Sequence, residues 1–182
     1  MKLLRTIRLD PSDTFVFEKA AEPGEWAVPG SFVFWQQDIS ALEGRARSAF
    51  RAGFLGVASL GWSTLAQIVE TDEGGRDAAV ETLARHLVQS FAAPDMETAR
   101  RAAGEEVAYA ASLCEHPADT LVALHRVFED GAIRETFRTL RPRNGPKPLR
   151  VFSFLEADEE EAPDERIDLA GLAQGAHKGT VE

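Results

Sequence analysis

The chain has 182 residues, 44% hydrophobic and 27% charged, with 20 basic against 30 acidic side chains for a net charge of −10. A chain of this length holds one domain with a short appendage, which excludes a large multidomain enzyme, and its acidity argues against nucleic-acid or membrane partners. A single cysteine, Cys114, excludes an internal disulfide framework and any multi-cysteine metal site.

The first residues, Met1 to Arg8, begin like a signal peptide, but Arg5, Arg8 and Asp10 break the apolar region before it forms, so a cytoplasmic location is expected. Leu3, Ile7 and Leu9 fall on one side of a strand. After Asp10-Pro11-Ser12-Asp13, a type I turn signal, Phe15 and Phe17 predict a second, antiparallel strand. Residues 21–30 carry two Pro-Gly pairs, too much punctuation for a helix or a central strand, and read as a loop ordered by Trp26. Phe32 to Trp35 then reads as a buried strand. Ser40 and Glu43 fit a capping box opening a short helix through Leu42, Ala46, Ala49, Phe50 and Gly53. The apolar run from Gly53 to Trp62 is about half the roughly 18 residues a spanning helix needs. Gly53, Gly56 and Gly61 within it lack the following Lys-Ser or Lys-Thr of a phosphate loop, so they mark a tightly packed turn before a strand over Thr64 to Val69.

Val80, Leu83, Ala84, Leu87, Val88 and Phe91 recur at helical spacing until Pro94. Asp95 caps the next helix, whose stripe of Met96, Ala99, Ala103, Val107, Ala110 and Cys114 ends at His116-Pro117, and the two form an antiparallel helical hairpin. Asp130-Gly131 between two alternating runs predicts a β-hairpin with a type I′ turn, in which paired residue numbers sum to 261. Phe128 then faces Ile133, Leu124 faces Phe137 and Arg126 faces Glu135 on the core side. Leu121, Ala123, His125 and Val127 face Leu140, Arg138, Thr136 and Arg134 on the other. Pro142, Pro146 and Pro148 hold the next link open, and Val151 to Leu155 reads as a final strand. Residues 156–168 contain eight acids and one arginine, a net −7, and the rest of the tail is too poor in apolar residues to order itself, apart from a short docking segment at Ile167 to Leu172. The expected fold is therefore α+β, a mainly antiparallel sheet packed against a helical hairpin. Its globular domain spans 1–157 and its acidic, largely disordered tail 158–182.

No catalytic constellation assembles from these elements. Cys114 lies on an apolar stripe at a helix C-terminus, where the dipole disfavours a thiolate, and reads as buried and inert. His116 beside it reads as a dipole partner, His86 as exposed and His177 as part of the tail, with no metal-ligand spacing among them. Glu105 and Glu106 read as a solvated helix face, with Arg101–Glu105 as an i,i+4 pair. Neither a catalytic residue, a cofactor nor a metal is expected. Residues 134–150 are the exception to the acidity: five arginines and one lysine against Glu135 give +5. That segment is either a sheet edge blunted by charge or an anion- or partner-binding surface built from His125, Arg134, Arg138, Arg141, Arg143 and Lys147. The −7 segment that follows it would act as an intramolecular competitor for those arginines.

Four stretches together resemble an uncharacterised proteobacterial protein family: Lys2-Leu3-Leu4-Arg5-Thr6-Ile7, residues 21–30, residues 53–66, and Phe152-Ser153-Phe154-Leu155-Glu156. The resemblance covers most of the chain up to Glu156 and implies a bacterial cytoplasmic protein of unknown function, with no catalytic residue to carry over. The expected role is a non-catalytic accessory or adaptor protein whose partner is another protein. The alternative is a protein binding a small anionic ligand, or an enzyme acting on one, through the His125, Arg134 and Arg138 face.

Overall fold

A computed structural model of the chain describes residues 1–141 and 156–157. The described residues form an α+β fold in which one antiparallel sheet carries four helices on the chain's way through it. The strands are β1 (Lys2–Ile7), β2 (Trp26–Val28), β3 (Phe54–Gly56), β4 (Trp62–Ser63), β5 (Leu65–Glu70), β6 (Leu121–Glu129), β7 (Ala132–Arg141) and β8 (Glu156–Ala157). Their order across the sheet is β4-β3-β2-β1-β5-β6-β7-β8. The helices are α1 (Asp13–Val16), α2 (Gly44–Ala52), α3 (Glu73–Ser90) and α4 (Met96–Ser112). No helix of the described residues is long and apolar enough to cross a membrane.

The hairpin register is the one the turn chemistry dictates. Leu121 pairs with Leu140 and Phe128 with Ile133, a constant sum of 261, while Asp130 and Gly131 hold φ of +53° and +76° as a type I′ turn requires. The second long helix starts at its expected cap, the Asp95 carboxylate accepting from the Thr98 N–H at 2.7 Å, and the first starts from a cap not singled out in the sequence, the Asp72 carboxylate accepting from the Gly75 N–H at 2.8 Å. They pack on one another, burying Ala79, Leu83, Ala84 and Leu87 with Ala99, Ala103, Val107 and Ala110, and Arg100 grips Glu81 at their surface at 2.8 Å. Helix α4 also packs on β1 and β2, closing a core over Leu4, Ile68, Ala66 and Val122.

Four expectations for the N-terminal third are overturned. Phe15 lies in α1, not in a strand. Pro11 presets a helical φ, Asp10 accepts from the Ser12 N–H at 2.7 Å, and the buried Asp13 carboxylate takes the Thr64 hydroxyl at 2.5 Å, so the chain makes one helical turn there. Residues 21–30 contain a strand inside the sheet, because the left-handed glycines, Gly24 at φ +85° and Gly30 at +75°, stand outside its three residues. Trp26 does pack, under the Arg5 guanidinium at 4.1 Å. Phe32 to Phe34 form a 3-10 turn (Ser31–Phe34) instead of a strand, since Gly30 turns the chain sharply beside Leu55; Phe34 is sent into the core and Trp35 into solvent. The Ser40–Glu43 capping box does not form: the Asp38 carboxylate takes the Ser40 N–H in a separate 3-10 turn, and α2 starts from Glu43 without a side-chain cap.

The glycine-rich turn at 53–61 is tightly packed, as expected. A Cβ on Gly61 would sit 2.6 Å from the Ala20 backbone. The expected strand at Val151 to Leu155 and the tail 158–182, including its docking segment and its competitor role, lie outside the described residues. The chain's return to the sheet is seen at β8, where Leu140 pairs with Ala157 and Arg141 with Glu156.

Candidate functional site

The most unusual side chain in the core is Arg126, fully buried in β6. Alternation along β6 puts it on the same face as Val122 and Leu124, where α2 and α4 cover the sheet. An unpaired charge there would be prohibitive, and every nitrogen of the guanidinium has an acceptor. Nε donates to Glu135 Oε1 at 2.6 Å across the strand pair. One terminal nitrogen donates to the carbonyls of Phe50 at 3.0 Å, Gly53 at 2.9 Å and, more weakly, Ala49 at 3.5 Å; the other donates to the Pro29 carbonyl. The cation thus satisfies the last carbonyls of α2 at the negative end of its dipole and fixes the bend leading into Gly30.

A second layer of bonds surrounds it from α4. Glu135 accepts from the Tyr109 hydroxyl at 3.1 Å with its other oxygen, and Glu106 accepts from the Gly30 N–H at 2.8 Å. Glu106 is therefore not part of a solvated face: burial outweighs its hydrogen bond and raises its pKa above the ordinary value. Burial and the neighbouring Glu135 carboxylate push the Tyr109 hydroxyl up to about 12. Burial also lowers the Arg126 pKa, against the pull of Glu135. This network anchors Pro29 and Gly30 at the start of the 29–39 segment, in which Phe34 is buried and Trp35 exposed.

Beside it opens a cleft of about 500 Å³ between that segment and the tip of the β6–β7 hairpin. Phe32, Phe34, Trp35, Ile39, Phe128 and Ile133 line it, with Ser31 and Gln37 as polar members. Its floor is rigid. Phe34 stacks on Trp62 at 5.3 Å, meets Phe50 edge-on at 5.2 Å and lies 6.0 Å under the Arg126 guanidinium, while Phe32 meets Phe91 at 5.3 Å. Its rim is bare: Trp35 is 84% exposed and Phe128 43%.

Of the residues singled out from the sequence, His125, Arg134 and Arg138 come together on the exposed face of β6 and β7, where the hairpin register puts Val127 opposite Arg134, His125 opposite Thr136 and Ala123 opposite Arg138. Arg134 is shared between Glu129 at 3.7 Å and Asp130 at 3.4 Å. Arg141 joins β7 at its end through its backbone; Arg143 and Lys147 lie outside the described residues. Cys114 is buried as expected, its thiol donating to the Ala110 carbonyl at 3.4 Å and pushed by burial up to about 11. His86, expected to be exposed, is half-buried and bonds the Ala58 carbonyl through Nε2 at 3.1 Å. The glycine turn does cradle an anion, but an internal one. Glu25 Oε2 accepts from the Ala58 and Ser59 N–H groups at 2.9 and 2.7 Å, which occupies those donors.

The sequence reading placed Arg126 opposite Glu135 without placing either in a site, and it treated Trp35 as part of a buried strand. A cross-strand Arg–Glu pair on the apolar side of a hairpin was the available signal for the first. The exposure of Trp35 depends on the left-handed turn at Gly30; the Pro29-Gly30 pair signals a turn there but not which of the following side chains it sends outward.

A family model described as a family of unknown function (DUF6505) matches residues 1–157, and the chain belongs to that family. No curated protein and no solved structure matches it.

Proposed function

We propose that this member of DUF6505 is a non-catalytic accessory or adaptor protein that receives a partner protein in the aromatic cleft. The observation that carries the reading is the exposure of Trp35 and Phe128 at the mouth of a cleft whose floor is locked by the core. Leaving such rings in water is unfavourable by roughly 25 cal/mol per Å² of apolar surface, and rigid aromatic anchors in a pre-formed depression are what binding hot spots are made of. The anionic-ligand reading draws support from His125, Arg134 and Arg138 sharing one face. It is the weaker one, because the face is open and offers a small ligand no enclosure.

Affinity capture from the source cells with the native protein and with Trp35→Ser/Phe128→Ser tests the proposal. The expected result is a protein held by the native chain and lost by the variant, whose thermal midpoint stays within a few degrees because both side chains are exposed. Identical captured sets from the two would overturn the cleft as the binding surface.

A further inference from the structure

We propose that the outer edge of β7 is a strand-addition site for an extended acidic segment of a partner protein. The inference rests on the reading of the chain as a partner-binding protein, but on the edge of β7, which shares Ile133 alone of its named residues with the aromatic cleft.

From Ala132 to Leu140 β7 pairs with β6, whereas on its other side, among the described residues, only Leu140 and Arg141 are paired. Among the described residues, Ala132 to Thr139 is therefore an edge. A two-residue turn closes on a hydrogen-bonded pair, here Glu129 and Ala132, and bonded pairs alternate from there along an antiparallel ladder. Ile133, Glu135, Phe137 and Thr139 consequently aim their N–H and C=O groups away from β6, as a row able to bond an incoming strand.

The faces of β7 specify that strand's side chains. Arg134, Thr136 and Arg138 are exposed on one face, while Ile133 and Phe137 are part-buried on the other. Residues opposite Arg134 and Arg138 are best acidic, and those opposite Ile133 and Phe137 best apolar. Glu135 is already held by Arg126 and Tyr109, so the position facing it suits a small uncharged residue. The outer side of β7 already accepts a strand at its end: β8 lies antiparallel on it, with Glu156 at the register position opposite Arg141. The ion pairs of Arg134 with Glu129 and Asp130 are solvent-exposed and give way at little cost to an acid delivered in register.

The test is a fluorescently labelled seven-residue peptide with acids opposite Arg134 and Arg138 and apolar residues opposite Ile133 and Phe137, titrated against the full chain by anisotropy. Saturable binding is expected, weakening with added salt, falling about tenfold or more in Arg134→Glu/Arg138→Glu, and unchanged in Trp35→Ser. N-methylating the peptide at the residues opposite Ile133, Glu135 and Phe137, whose N–H groups face β7, should abolish binding. N-methylating the residues opposite Arg134, Thr136 and Arg138 should leave it. Equal binding of the two methylated peptides would reduce the surface to simple charge attraction and overturn strand addition. Absence of binding by the unmodified peptide would overturn it too and leave the arginines as guards against edge pairing. Displacement of the peptide by self-association of the chain would overturn the partner in favour of a second copy. Because Trp35 takes no part, each of these failures leaves the aromatic cleft standing, and failure of the cleft leaves this binding untouched.

Discussion

A guanidinium without solvent contact keeps its charge only where acceptors meet it on all sides, and Arg126 meets Glu135, the end of α2 and Pro29 at once. Replacing it with Met preserves much of the apolar volume but strands the Glu135 carboxylate and several carbonyls. Arg126→Met should therefore destabilise the protein by about 3–5 kcal/mol in chemical denaturation. Arg126→Lys should recover little, because one ammonium cannot serve a strand partner and a helix end simultaneously. A loss below about 1 kcal/mol in Arg126→Met would mean that the network contributes specificity without stability.

At the scale of elements, turn residues decide more than strand residues do. Asp130 and Gly131 both occupy the left-handed region, so Asp130→Ala and Gly131→Ala should each cost roughly 1 kcal/mol, against almost nothing for exposed Glu129→Ala, as read from denaturation midpoints. Equal effects at all three positions would show that the turn does not hold the register. This hairpin was legible in the sequence because Asp-Gly demands one backbone geometry, and period-2 alternation then leaves one register. The long helices were legible for the same kind of reason, each from a repeating apolar stripe and α4 also from its capping Asp95. Phe15, Trp26 and Phe32 were misassigned because each sits in a run of three or four residues beside Gly or Pro. Over so short a span, helix and strand periodicities cannot be separated, and tertiary anchors such as Asp13 on Thr64 decide. Of the candidate site, the His125, Arg134 and Arg138 face followed from the register. The burial of Arg126 did not, because alternation tells which side a residue faces and not how deeply that side is covered.

For the molecule as a whole, the two kinds of carboxylate pull stability in opposite directions as pH changes. Glu81 and Asp95, bonded to Arg100 and to the start of α4, have lowered pKa values, so what they contribute is present above their ordinary range and is lost on acidification. Glu106 has a raised pKa, so its folded form prefers the proton; its penalty is absent below the ordinary value of 4.5 and grows as pH rises through the folded value. Glu106→Gln keeps an acceptor for Gly30 without the charge. It should match the native protein near pH 4 and exceed it in stability near pH 7, measured by urea denaturation at both. A variant less stable than the native chain at neutral pH would reverse the sign assigned to Glu106. The reach of Arg126 also orders events in time. Its carbonyl partners lie 73 to 97 positions earlier in the chain, so while the protein emerges during synthesis the end of α2 and the bend at Pro29 stay uncapped until β6 has been made and has docked. The first half of the chain cannot complete its own aromatic floor, and substitutions at Arg126 should accelerate unfolding far more than they slow folding.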